Sequence, residues 1–105
     1  MDKSEALIAA NLYAQVVTKA FKVKGIYLFG SFAKGNFHTD SDIDIAIVFS
    51  DFSNILDIQL ELMRLRRSID SRIEPHPFRE ADFKPSNPLV FEILNHGKTL
   101  QIGSA

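Results

Sequence analysis

Asp42 and Asp44 open the run Asp42-Ile43-Asp44-Ile45-Ala46-Ile47-Val48-Phe49, and ten residues separate Asp42 from the pair Gly30-Ser31 upstream. In a β-strand, residues i and i+2 share a face with Cα atoms about 6.5–7 Å apart. Two carboxylates so placed are hard oxygen donors that can converge on Mg²⁺. They suit a pair of ions about 3.5–4 Å apart, the separation used for in-line phosphoryl displacement. Gly30 lets the backbone approach a phosphate closely, the first amides of a helical turn point at an anion, and Ser31 adds a hydroxyl. Lys34 lies one turn on and carries a point charge. A third carboxylate from a neighbouring strand would complete the set. Glu74 is the best candidate because its strand pattern puts it on a polar face. Asp70 is the rival, at a helix-to-strand connection.

Each residue also has a plainer reading. Gly30-Ser31 alone is an ordinary turn, and Asp42 can be an Asx cap. Glu74 can be an edge carboxylate paired with Arg72 or with an arginine of the preceding helix. Asp44 is the hardest to dismiss, because a carboxylate inside an apolar strand needs a partner or a cation. His76 follows Glu74 on the same face. It could orient Glu74 or contact substrate, and a structural hydrogen bond serves it equally well.

The elements that must position these groups can be read in order. Ser4 to Lys22 is an amphipathic helix with Leu7, Ile8, Leu12, Val16 and Ala20 as its apolar set, Tyr13 and the alanines packing, and Asp2 or Ser4 as its cap. Gly25 to Phe29 is a short apolar strand. Ser31 to Gly35 makes one helical turn closed by the glycine. Ile43 to Phe49 is the clearest strand: isoleucines on one face, and on the other the carboxylates followed by Ala46 and Val48. Ile55 to Ile69 is a second helix, capped by Asn54 or Ser53, with Ile55, Leu56, Leu60, Met63 and Ile69 apolar. Its basic end, Arg64, Arg66 and Arg67, suits the helix dipole. Ser71 to His76 is a third strand, ended or displaced to an edge by Pro75 and Pro77. Pro88 to Leu94 is a short helix and Lys98 to Ile102 a last edge strand. Phe78, Phe83 and Phe91 are core residues or an apolar patch. The short link from Gly30 to Ile43 has no crossover helix, so the strands it joins should be antiparallel. The expected class is α/β (α+β): a small mixed β-sheet flanked by helices.

A chain of 105 residues is expected to be one domain over 1–105. Twelve basic and thirteen acidic side chains nearly cancel, which removes any global pull toward nucleic acid or an anionic membrane. Without cysteine there are no disulfides and no thiolate metal centres. No run is long enough to span a membrane, and the N-terminal segment lacks the apolar core of a secretory signal, so cytoplasmic residence is expected.

Gly30-Ser31, ten residues, then Asp42-x-Asp44 resembles the signature of the DNA polymerase β-like nucleotidyltransferase superfamily, and most resembles its minimal nucleotidyltransferase (MNT) branch. The resemblance covers most of the chain. It implies the polymerase β-like nucleotidyltransferase fold and transfer of a nucleoside monophosphate, AMP from ATP by preference, to a hydroxyl acceptor with two Mg²⁺ and release of pyrophosphate. Gly30 and Ser31 match the phosphate-binding pair, Asp42 and Asp44 the metal-binding pair. The third family carboxylate is usually Asp; here the position falls to Glu74. MNT proteins are often paired with a helical HEPN protein, which some adenylylate as antitoxins. The resemblance therefore implies a HEPN-type partner. A vestigial antitoxin acting by contact is the alternative, and a transferase acting on a small molecule, of the aminoglycoside type, is a weaker one. So short a chain has little room for its own acceptor domain, so the acceptor site calls for a partner or a homodimer.

Overall fold

The protein is described from a computed structural model that covers residues 3–38 and 40–100. Its elements are α1 (Lys3–Ala20), β1 (Gly25–Phe29), a one-turn helix α2 (Ser31–Lys34), β2 (Ile43–Phe49), α3 (Ile55–Leu65), β3 (Ile73–Arg79), α4 (Pro88–His96) and β4 (Lys98–Thr99). The four strands form one mixed sheet in the order β3-β2-β1-β4. β1 pairs antiparallel with β2 and with β4, whereas β2 and β3 run parallel. The antiparallel β1–β2 pair follows from the short link between them, and the parallel pair from the α3 crossover.

β2 is central and its two faces do different work. Ile43, Ile45, Ile47 and Phe49 are all buried, in a core with Ile26, Leu28, Ile73, Tyr13, Val17 and Leu62 under α1 and α3. On the opposite face Ala46 packs with Phe29 and Ile93, flanked by Tyr27, Phe78 and Phe83. Phe78 and Phe83 therefore line this second, smaller core, while Phe91 is exposed.

Both long helices bury a different stripe from the one their large aliphatics suggest. α1 buries Ala6, Ala9, Ala10, Tyr13, Ala14 and Val17, while Ile8 and Leu12 are exposed. Small side chains let the helix axis approach the sheet closely, so volume decides the face more than hydropathy does. α3 buries Leu62 and packs Ile58 and Leu65 on the core, leaving Ile55, Leu56 and Leu60 exposed. Tyr13 ties the two helices together: its hydroxyl donates to the Leu62 carbonyl at 2.6 Å in the interior. Burial raises its pKa above the ordinary phenol value, against a smaller lowering by Arg66.

Element ends shift from expectation for local reasons. α1 already includes Ser4, so Ser4 is not its cap, and Asp2 lies outside the described residues. α3 gives way at Arg66 to a 3₁₀ turn over Arg66–Ser68 and does not run on to Ile69. β3 begins at Ile73, not Ser71, and continues through both prolines to Arg79. It tolerates them because it is an edge strand. Arg66 donates to the Ile73 carbonyl and Gln59 to the Pro75 carbonyl, so residues 73, 75 and 77 direct their backbone groups away from β2. Residue 72 faces the other way and accepts from the Ile43 amide at 2.9 Å. The expected last strand is observed over Lys98–Thr99, and its end at Ile102 lies outside the described residues.

Candidate active site

Three short segments meet where β1 ends and β2 and β3 begin. β1 runs into Gly30, whose φ of 77° and ψ of −152° occupy a region open essentially only to glycine. This turns the chain into α2, closed by Gly35 in the left-handed conformation with its amide on the Ser31 carbonyl at 2.9 Å. Gly30 also lies against Asp44: a Cβ placed on it would sit 2.4 Å from Asp44 Oδ2. The residue type therefore answers to the backbone angle and to the neighbouring carboxylate together.

The loop to β2 is anchored by Ser41. Its Oγ accepts from the His38 amide at 2.9 Å and its own amide donates to the His38 carbonyl, with the side chain buried. Sequence alone gave Ser41 no distinct role, since hydroxyl residues are common in loops. Asp42 follows, exposed, at the mouth of β2. Asp44 is its neighbour two residues on and is half-buried.

The β2–β3 register brings Glu74 in. Asp44 and Glu74 are Cα partners on adjacent strands, and His76 is the partner of Ala46. Asp44, Glu74 and His76 thus share one face of the sheet, with neighbouring strands about 4.8 Å apart. His76 Nε2 bonds Asp44 Oδ1 at 3.1 Å, and because an ionised carboxylate only accepts, the imidazole is the donor. The sequence reading offered His76 to Glu74 or to substrate; the structure gives it Asp44. The alternation Arg72-Glu74-His76 was visible, but not the register that decides which β2 residue lies beside the imidazole.

Of the plain partners suggested for Glu74, Arg72, Arg66 and Arg64 are engaged elsewhere, and Arg67 makes no bond to it among the described residues. Arg72 bonds Asp70 Oδ1, Arg66 the Ile73 carbonyl, and Arg64 Glu61. Asp70 is also bonded by the Arg72 amide and caps its own turn. Among the described residues, neither Asp42 nor Glu74 has a hydrogen-bond or ion-pair partner. Lys34 forms an ion pair with Glu92 and so links α2 to α4.

Among the described residues, no three His, Asp or Glu side chains gather into a ready-made cage for a cation. Mg²⁺ is a hard ion that takes oxygen ligands, carboxylates among them. The donor set here, hard oxygens beside a glycine turn, fits such an ion.

Residues 12–102 match the family described as Polymerase beta, Nucleotidyltransferase. The chain belongs to this nucleotidyltransferase family. It is 36% identical over 80 residues to the protein adenylyltransferase MntA of Shewanella oneidensis, a match covering 75% of this chain and 54% of that one. The nucleotidyltransferase chain therefore spans about half the length of this curated relative. Its fold resembles a crystal structure of a putative nucleotidyltransferase from Sulfolobus solfataricus, with a TM-score of 0.69 at 22% identity, covering 92% of this chain and 80% of that one. It also resembles the MNT antitoxin structure solved with the tri-AMPylated HEPN toxin of Shewanella oneidensis. There the TM-score is 0.64 at 26% identity, covering 91% and 71% of the two chains. A toxin–antitoxin structure with AMP-PNP matches with a TM-score of 0.61 at 26% identity, over 96% of this chain and 73% of that one. The family and fold expected from Gly30-Ser31 and Asp42-x-Asp44 are those found. No described helix is long and apolar enough to cross a membrane.

Proposed function

We propose that this chain is an Mg²⁺-dependent adenylyltransferase domain that moves AMP from ATP to a hydroxyl of a HEPN-type partner protein, as the antitoxin of a pair. The observation that carries this reading is the pairing of Asp44 with Glu74 in the β2–β3 register, with Gly30 pressed against the Asp44 carboxylate. The choice of ATP and of a protein acceptor rests on the adenylyltransferase and toxin–antitoxin relatives.

In this reading Gly30 and Ser31 receive the β and γ phosphates, and Asp42, Asp44 and Glu74 are the residues that would hold Mg²⁺. The bound ions supply neutralisation of the charge that develops on the phosphates. The acceptor oxygen bonds to the α-phosphorus as the bond from that phosphorus to the β-phosphate oxygen breaks, and pyrophosphate leaves. Glu74, which has no partner among the described residues, accepts the acceptor's proton. Most of the acceleration comes from holding the reactants in line in a fixed electrostatic frame. Glu74 is preferred to Asp70 because Asp70 is already bonded within its turn.

The test is incubation with ATP labelled at the α-phosphorus, Mg²⁺ and the protein encoded by its chromosomal neighbour. Label on the partner that disappears with EDTA is the expected result. Tight binding of the partner with no label would replace the enzyme by an antitoxin acting through contact alone.

A further inference from the structure

We infer that His76 is a positioning residue for Asp44, fixing the plane of its carboxylate for the cation; this rests on the functional reading above. Asp44 has one observed side-chain partner and one close neighbour. Its Oδ1 takes the His76 Nε2–H at 3.1 Å, and its Oδ2 occupies the space that a Cβ on Gly30 would fill. The terminal torsion of an Asp is broad when nothing bonds it, and the bond at Oδ1 is what narrows it here.

The imidazole is itself held. Phe29, the Cα partner of Asp44 on the other side of β2, meets the His76 ring edge-on, with centroids 5.0 Å apart. Ala46, the Cα partner of His76, contributes only a methyl group. A larger residue there would fill the space across which the imidazole reaches diagonally from β3 to Asp44. Pro75 and Pro77 flank His76 and fix φ on either side of it. Phe29, Ala46 and the prolines thus converge on one side chain whose polar end contacts a proposed metal ligand. A histidine kept only for packing would need no acceptor at the mouth of the site. A group that bonds a ligand and is oriented in turn by its own surroundings tunes metal sites, and its loss commonly costs about 10- to 100-fold in affinity or activity.

The experiment is titration with Mn²⁺ alone, followed by the paramagnetic resonance signal of the free ion, on the wild-type chain, His76→Leu and His76→Gln. Thermal unfolding is recorded for all three. His76→Leu keeps the volume without the donor; His76→Gln restores an N–H of similar reach. The expected result is Mn²⁺ affinity roughly 10-fold or more weaker in His76→Leu and largely recovered in His76→Gln, with all three folded. In the transfer assay the leucine variant should lower kcat more than it raises the KM for ATP. Wild-type Mn²⁺ affinity in His76→Leu would overturn the inference while leaving the functional reading intact. Failure of the wild-type chain to bind Mn²⁺ would overturn that reading and the inference with it. Should His76→Leu not fold, His76→Gln decides alone: Mn²⁺ affinity near that of the wild type upholds the role of the N–H, and an affinity about 10-fold or more weaker in the folded glutamine variant rejects it.

Discussion

β2 divides lengthwise into two regions with opposite priorities. On the α1/α3 side, Ile43, Ile45 and Ile47 are fully buried and Phe49 nearly so. On the other side the strand starts with a carboxylate that keeps about a quarter of its side-chain surface, 26%, in contact with solvent, and only then continues into Ala46 and Val48. A carboxylate at any of the isoleucine positions would be desolvated without a partner, at a cost of several kcal/mol. At position 44 it is affordable because the sheet is open at that end and His76 supplies a donor. One strand can therefore anchor a core and present carboxylates, provided that the polar groups occupy the end where its neighbours begin or stop.

The sharpest way to break this comparison is to remove charge from the open side. Asp42→Ala and Asp44→Ala should each lower Mg²⁺-dependent AMP transfer by on the order of 10²–10³ or more, the scale on which a single transition-state contact counts. Neither should move the unfolding midpoint by more than a few degrees, because neither side chain belongs to the sealed core. Label transfer and thermal unfolding measured on the same preparations decide it; full transfer in the double variant would remove the carboxylates from the mechanism.

Gly30→Ala attacks the seam between the regions. The added Cβ would meet Asp44 Oδ2 at 2.4 Å, and the backbone angles there are strained for any other residue. A loss of about 1–3 kcal/mol is expected from the backbone alone. Mn²⁺ binding should weaken in parallel, since the carboxylate must move. Urea unfolding together with Mn²⁺ titration reads both; a stable variant with unchanged Mn²⁺ affinity would show that the Gly30–Asp44 contact does not matter.

How much of this arrangement could be read beforehand differs between the regions as well. The open side is the easier to read because its proposed chemistry rests on residue type and spacing: Gly30-Ser31, Asp42 and Asp44 each stand out locally. Alternation in Ile43–Phe49 gave the strand and its two faces. Glu74 could be nominated by face, but its alignment with Asp44, and the contact of His76 with Asp44, depend on a register set by the length and seating of α3. The sealed side was less legible. In α1 Tyr13 and the alanines are buried as the sequence suggests, but Ile8 and Leu12 of the expected apolar set are exposed; in α3 Leu56 and Leu60 draw attention, yet the face that packs carries Leu62. Hydropathy measures what a side chain would gain from burial; which stripe is buried depends on how closely the helix can approach, and that is a property of the assembled sheet.

Tyr13→Phe probes the sealed side. It removes a hydroxyl but leaves the Leu62 carbonyl buried without its donor, so a loss of about 1–3 kcal/mol is expected with transfer activity unchanged. The same residue predicts an alkaline signature. Burial raises its pKa above the ordinary value of 10.0. The folded chain therefore retains the phenol proton where the unfolded chain loses it. This contribution to stability is complete below about pH 10 and declines as pH rises beyond it, by about 1.4 kcal/mol per pH unit until the folded group also ionises. Unfolding of wild type and Tyr13→Phe between pH 8 and about 11.5 should show the curves converging; parallel curves would mean that the phenol titrates normally in the fold.

Asn54→Ala gives the smallest effect and the cleanest separation. Asn54 caps α3 by accepting from the amides of Leu56 at 2.9 Å and Asp57 at 3.3 Å. Losing such a cap costs about 1 kcal/mol. α3 covers the isoleucine face of β2 and also connects β2 to β3, so it sets the register that aligns Glu74 with Asp44. If the two sides of the strand are energetically separate, the urea midpoint falls while Mn²⁺ affinity and AMP transfer stay at wild-type values. If α3 holds the register through its first turn, Mn²⁺ affinity falls together with the midpoint. The sealed face would then position the open one as well as support it, and the lengthwise division of β2 would be a division of surfaces only.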